Sequence, residues 1–224
     1  MALSVYDLYQ KMLAHMGPTN WWPADSKQQI IIEAILIQNT TERNALVASS
    51  LIRQETAYNF EKIQELSTDK LEELVRPAGF MKNKSKAIKT LTQWYLSYDE
   101  DSEAIVAQYG ETLRNTLLQL HGVGPETADV LLTYIFDQPQ FIADKYARTL
   151  FGLLGVEGLT TYQSLNRQLS QLPEPFTYQD AQEFHGLIDE FGKAYFHPID
   201  NFQDSFLMGI HLDWAKINVN PTQK

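Results

Sequence analysis

The stretch Leu120-His121-Gly122-Val123-Gly124-Pro125-Glu126-Thr127-Ala128-Asp129 decides the fold. Apolar residues on both sides recur at three-and-four spacing, so it joins two helices. Gly122 and Gly124 permit backbone conformations that other residues resist. Pro125 suits the first turn of the helix that follows. So short a turn exposes amide donors at the head of the second helix, and the helix dipole adds to them. Such a site holds a phosphate without any positive side chain. The same geometry also serves as a plain tight connection between packed helices.

Outward from this turn, helical periodicity dominates. Val5, Leu8, Tyr9, Met12, Leu13 and Met16 share one helical face, which Gly17-Pro18 ends. A loop with Trp21, Trp22 and Pro23 follows. Helices are predicted over 26–39, 41–54, 59–66, 68–75, 85–98, 101–109 and 111–120. Beyond the glycine turn come a helix from Pro125, one through Leu154-Gly155, one over 179–195 and an irregular tail. No alternating run is bounded by two hairpin turns, so strands are not expected. The fold class is all-α.

Composition narrows the chemistry. Cysteine is absent from the 224 residues, which excludes disulfides, thiolate metal sites and cysteine nucleophiles. A reducing, cytoplasmic setting fits. Neither a secretory signal nor eighteen consecutive apolar residues occur, so no membrane association is expected. The formal charge of −10 repels phosphates over about 8–10 Å, so a nucleic-acid site must rest on local donors.

The extended turn resembles the hairpin signature of the endonuclease III-like, helix-hairpin-helix DNA glycosylases, L-x-G-V-G-x-x-T-A. A second family element is an aspartate opening a helix after an apolar stretch. Asp144 in Ile142-Ala143-Asp144-Lys145-Tyr146-Ala147-Arg148 takes that place, 18 residues after Glu126. Gln38-Asn39-Thr40 resembles the helix-end segment that wedges into the opened duplex. Phe184-His185-Gly186-Leu187-Ile188 with Gly192-Lys193 is similar to the family's late helix. The resemblance implies two helical lobes flanking a DNA-binding cleft, roughly 25–138 and 1–24 plus 139–224. Asp144 is expected to face Gln38 and Trp22 across that cleft. Gly122, Val123, Gly124 and Thr127 of the hairpin, with Gln38 and Asn39, are the expected DNA contacts.

Cleaving a glycosidic bond develops positive charge on the sugar, and a carboxylate beside it stabilises that charge and orients the attacking water. The target base must first leave the stack. Asp144 is the candidate for that carboxylate, and also a plausible helix cap. Bifunctional relatives carry a hairpin lysine that forms a Schiff base. Glu126 stands at the matching position, so no lyase step is expected. Lys145 ranks low as a substitute, because successive helical residues diverge by about 100°.

Many relatives end in cysteines around an iron–sulfur cluster. This chain has none, so no cluster or other cofactor is expected, and Tyr195, Phe196, Phe202 and Phe206 fill the space. Clusterless relatives of the 3-methyladenine DNA glycosylase III type resemble this chain at Trp21-Trp22-Pro23, Gln38-Asn39-Thr40 and Asp144-Lys145-Tyr146. That subgroup implies a base pocket with an aromatic wall: Trp22 first, Trp21 second. Two aromatics covering a helix interface is the alternative. An aromatic of the subgroup is replaced here near Glu42.

Lys82, Lys84, Lys86 and Lys89 form a basic run, with Lys82, Lys86 and Lys89 on one helical face. It is either phosphate-facing or a solvated charged face. His185 with Asp189, and His197 with Asp200, have helical spacing, but two ligands are too few for a catalytic zinc. No metal is expected. The reading is a monomeric, monofunctional DNA N-glycosylase removing a damaged, alkylated base from double-stranded DNA. Alternatives are an inactive helix-hairpin-helix DNA-binding protein and a helical protein–protein scaffold.

Overall fold

The computed structural model describes residues 2–213. Its helices run α1 Val5–Met16, α2 Lys27–Leu36, α3 Glu42–Thr56, α4 Phe60–Glu65, α5 Thr68–Val75 and α6 Met81–Leu96. Then come α7 Ser102–Tyr109, α8 Leu113–Leu118, α9 Pro125–Tyr134, α10 Lys145–Leu153, α11 Tyr162–Asn166 and α12 Tyr178–Tyr195. The fold is all-α. One unexpected pairing joins β1 (Ala2–Leu3) to β2 (His211–Leu212), parallel, with Ala2 opposite His211 and Leu3 opposite Leu212. Two residues per strand are too few to show an alternating pattern. The chain divides into two compact units, one from Ala24 to Phe136 and the other made of the segments before and after it. Of the expected second lobe, residues 214–224 lie outside the described residues.

Polar caps set many of the helix starts. Ser26, Thr41, Asn59, Ser67 and Asp101 each accept a backbone N–H at the third helical position. Helix α6 is the exception. It starts at Met81, four residues before the expected Ser85, from Phe80 in a left-handed conformation with no side-chain cap. Without a cap residue the sequence offers no start signal there, and lysines in a first turn oppose the dipole.

In the unit from Ala24 to Phe136, α2 is buried nearly all round through Ile31, Ile32, Ala34, Ile35 and Leu36. It packs on α3, α6 and α9. Its buried Glu33 accepts from Gln29 Nε2 at 2.9 Å and from Ser49 Oγ at 2.7 Å, so the carboxylate is satisfied inside the core. Helices α8 and α9, the arms of the glycine turn, are stapled by Arg114. Its Nε and Nη2 donate to Asp129 Oδ1 and Oδ2 at 2.7 and 3.0 Å, and the Asp129 side chain is 0% exposed.

The other unit is organised by α12, which packs on α1 and α10. Its apolar side chains Phe184, Leu187, Ile188 and Phe191 join Leu8 and Met12 of α1 and Leu150 and Phe151 of α10 in one core. Thr177 and Asp180 form a capping box at its start. Asp180 also accepts from the Tyr9 hydroxyl at 2.8 Å. Burial, then that carboxylate, push the Tyr9 phenol up, so it remains a donor. The late aromatics Tyr195, Phe196, Phe202 and Phe206 gather around the Phe191 ring.

The Arg114–Asp129 staple yields a stability prediction. Arg114→Ala removes a bidentate partner from a fully buried carboxylate and is expected to lower the unfolding free energy by about 3 kcal/mol. Urea unfolding checks this, and an unchanged midpoint refutes it.

Candidate active site and nucleic-acid interface

The glycine turn rests on α6. Gly122 has φ +81°, and a Cβ there would lie 2.3 Å from that of Ala87, so both backbone and space demand glycine. Gly124 differs: its φ is −89°, and a Cβ would meet nothing within 4 Å among the described residues. The first i to i−4 bond of α9 runs from Ala128 N to Gly124 O. The N–H groups before it therefore have no helical carbonyl, and Pro125 contributes no N–H. These amides sit at the positive end of a ten-residue helix, which suits an anion.

Two of the expected contacts change role. Val123 is buried, and its N–H donates to Leu120 O at 3.1 Å, so it holds the turn together from inside. Thr127 is buried as well, and its hydroxyl accepts from Gln38 Nε2 at 2.8 Å. The same Gln38 nitrogen donates to Gly122 O at 3.0 Å. Gln38 is thus a brace between the end of α2 and the hairpin, a contact spanning 84 residues that no local pattern shows. Asn39, next in sequence, is exposed with φ +51°.

The basic run splits. Lys84 is 3% exposed and donates to Leu36 O and Ala78 O, each at 2.8 Å. It ties the end of α2 to the turn before α6, and burial pushes its ammonium pKa down. Lys89 donates to Gln64 O and Leu66 O, each at 2.7 Å, closing the end of α4. Both cap backbone carbonyls, which takes Lys89 out of the charged face it was expected to share with Lys82 and Lys86. Lys82 and Lys86 are exposed. Phe80, at the head of the same helix, is 65% exposed with φ +46° and was overlooked in the sequence. The available signal was an aromatic between glycine and a lysine-rich segment, in a region read as loop.

In the other unit, the segment leading to Asp144 is held by backbone pairing. Phe141 N donates to Ser170 O at 2.8 Å, and Leu172 N to Pro139 O at 2.9 Å. Phe141, Ile142 and Ala143 are buried, and Asp144 then caps α10. Its Oδ1 accepts from Ala147 N at 2.7 Å, so the cap reading and a solvent-side carboxylate coexist. Its Oδ2 lies 3.8 Å from His185 Nε2, with side-chain exposures of 16% and 13%. Burial pushes His185 down to about 4, so the ring is neutral at pH 7 and the contact is no ion pair. Of the residues with helical spacing, Asp189 pairs with Lys193 at 2.7 Å, and His197 meets the Tyr146 hydroxyl at 3.2 Å.

The tryptophan loop crosses the same helix one residue along. A Cβ at Gly186 would lie 2.4 Å from Thr19 Oγ1 and from Trp21 Cβ, so α12 carries a seat for the loop. Lys193 Nζ lies 4.8 Å from the Trp21 ring centroid, a cation–π contact. The Trp22 ring is 6.0 Å from that of Trp21 and tilted by 43°. A second glycine of α12, Gly192, lets the Tyr146 ring in, since a Cβ there would lie 2.5 Å from it.

His185 predicts a pH dependence of stability. The folded chain keeps the ring neutral down to about 4, whereas the unfolded chain takes up a proton near 6.5. Stability is therefore whole above pH 6.5 and drains as pH falls toward 4, by about 3 kcal/mol in all. Denaturant unfolding between pH 7 and 4 measures the slope. His185→Gln is expected to flatten it, and an unchanged slope in that variant refutes the assignment.

Comparison with known proteins identifies relatives of this chain. The profile of the HhH-GPD superfamily base excision DNA repair proteins matches residues 32–175. A Methanocaldococcus jannaschii protein whose name assigns it to the DNA repair glycosylases is 33% identical over 193 residues, 85% of this chain and 88% of its own. Endonuclease III of Sulfolobus acidocaldarius is 26% identical over 165 residues, 73% of this chain and 71% of its own. Among solved structures, H. pylori 3-methyladenine DNA glycosylase bound to 1,N6-ethenoadenine superposes with a TM-score of 0.68 at 28% identity. The superposition covers 85% of this chain and 98% of that one. With the hairpin, the capping aspartate and the all-α architecture in the same chain, the conclusion is direct: this protein belongs to the HhH-GPD superfamily of base excision DNA repair proteins.

Proposed function

We propose that the protein is a monofunctional DNA N-glycosylase that removes an alkylated base from double-stranded DNA, acting as a monomer without an iron–sulfur cluster. One observation carries the reading: the Asp144 carboxylate is fixed by Ala147 N–H through one oxygen, and its other oxygen adjoins a neutral, buried imidazole. A carboxylate so held keeps its place while the sugar of an extruded nucleotide becomes cationic. Water then adds to C1′ as the base leaves with the bonding pair, and Asp144 orients that water.

The remaining parts fit this chemistry. The amides before Ala128 are donors for a backbone phosphate, which suits a chain of charge −10. Lys82 and Lys86 add positive charge on the helix that carries the hairpin. Exposed Phe80 at the head of that helix is suited to stack in a gap left by an extruded base. Trp22 and Trp21 supply aromatic faces for a cationic purine, and the H. pylori glycosylase at 28% identity holds an ethenoadenine. Glu126 in place of a lysine, with no cysteine in the chain, supports the absence of a lyase step and of a cluster.

Glu126 also favours a second reading, a DNA-binding protein without chemistry, because it puts an acid in the first turn of the helix that would meet phosphate. Base release from methylated duplex DNA separates the two. The wild type is expected to leave an abasic site in an intact strand. Asn caps helices as well as Asp does, so Asp144→Asn should keep its melting temperature and lose activity on the order of a hundredfold or more. Undiminished release by Asp144→Asn sinks the assignment, and binding without any release selects the second reading.

The two hairpin glycines test the interface. Gly124→Ala is expected to keep the fold, since its Cβ meets no described atom within 4 Å, and to weaken duplex binding in a filter or anisotropy assay by crowding a phosphate at the α9 amides. Gly122→Ala should instead lower stability, by about 1–3 kcal/mol. Equal DNA affinity of Gly124→Ala and wild type refutes the phosphate site.

A further inference from the structure

The loop between α1 and α2 would be a poor wall for a base if it were held only by its own backbone. It is held from α12 instead. Glu183 Oε1 accepts from both the N–H and the hydroxyl of Thr19, the latter at 2.7 Å, and Glu183 Oε2 accepts from Asn20 N at 3.1 Å. Three donors from two consecutive residues thus converge on one carboxylate, 164 residues away in the chain. One helical turn along, Gly186 provides the seat for Thr19 and Trp21. Two turns further, Lys193 lies over the Trp21 ring. Asn20 adopts φ +53°, so the clasp grips the loop just where its backbone reverses, immediately before Trp21.

From this geometry we propose that Glu183 is a positioning residue for base recognition, locking the Trp21–Trp22 loop to the helix that also carries the neighbour of Asp144. The proposal rests on the reading of those tryptophans as the base-stacking surface. An ionised carboxylate accepts only, and can take all three donors. A glutamine in its place has one acceptor oxygen and an amide that meets an N–H donor with another donor. Charge-assisted hydrogen bonds are the strong ones, so their loss should loosen the loop. Asp144 is held by Ala147 N–H and by the 139–141 pairing, neither of which involves Glu183. The consequence is selective: poorer retention of the flipped base, with bond cleavage in the bound complex little changed.

The experiment compares wild type, Glu183→Gln, Thr19→Val and the double variant. Each is labelled with 5-fluorotryptophan and assayed for release of 3-methyladenine from duplex DNA. The fluorine resonances of Trp21 and Trp22, assigned by Trp→Phe replacement, are expected to shift or broaden in Glu183→Gln. KM should rise on the order of tenfold with kcat within about twofold of wild type. Thr19→Val should move both readouts the same way by less. The double variant should fall short of the product of the single effects, because both changes remove the same contact. Unmoved fluorine resonances in Glu183→Gln overturn the clasp. Moved resonances with unchanged KM, or an equal loss in kcat and kcat/KM, overturn its role in recognition. A wild type that releases no base overturns the stacking role of the tryptophans and recognition by Glu183 with it, while the resonances still decide whether the clasp exists.

Discussion

In the proposed mechanism the Asp144 carboxylate has to be held in place beside a developing positive charge, and its surroundings suit that task. The residues before it are buried and backbone-paired, so its main chain does not drift. The first amides of α10 supply a donor to one oxygen, and a helix start is favourable for negative charge. His185 lies beside the other oxygen, and burial keeps its ring neutral at pH 7.

In the proposed reading the acidic character of the chain is met by backbone groups. A phosphate site made of helix-start amides has no titration and no counter-charge to neutralise, so it suits a protein of charge −10. It requires a turn tight enough to leave those amides uncovered. Gly122 provides the turn by lying against Ala87, Val123 closes it from inside, and Gln38 and Thr127 brace it. Lysines that look available for phosphate are partly spent elsewhere. Lys84 and Lys89 cap carbonyls at the ends of α2 and α4, and thereby hold the loops that flank the hairpin's platform. Capping a helix end with an ammonium satisfies carbonyls that would otherwise be buried without a donor.

The all-α fold, most of the helices and the hairpin were legible because their causes are local. Amphipathic spacing, cap residues, and glycine followed by proline act within a few positions of one another. Asp144 was legible as well, as a cap and as part of a family pattern. Helix α6 began earlier than expected because its start rests on a left-handed Phe80 and packing instead of a capping side chain. The short α11 escaped because its capping box uses Ser164 where a glutamate or glutamine is the usual sign. The approach of His185 to Asp144 lay beyond any helical spacing, because Asp144 comes from the start of α10.

Sequence alone, then, determined most of the helical segments, where the hairpin backbone must turn, and that an aspartate opens a helix downstream of that hairpin. These follow from conformational preferences that each residue carries with it. Only the tertiary structure decided which lysines meet solvent, that His185 is neutral beside Asp144, that Gln38 braces the hairpin, and that Glu183 holds the tryptophan loop. Burial and donor–acceptor pairing between residues far apart in the chain are properties of the packed molecule, and no window of sequence contains both partners.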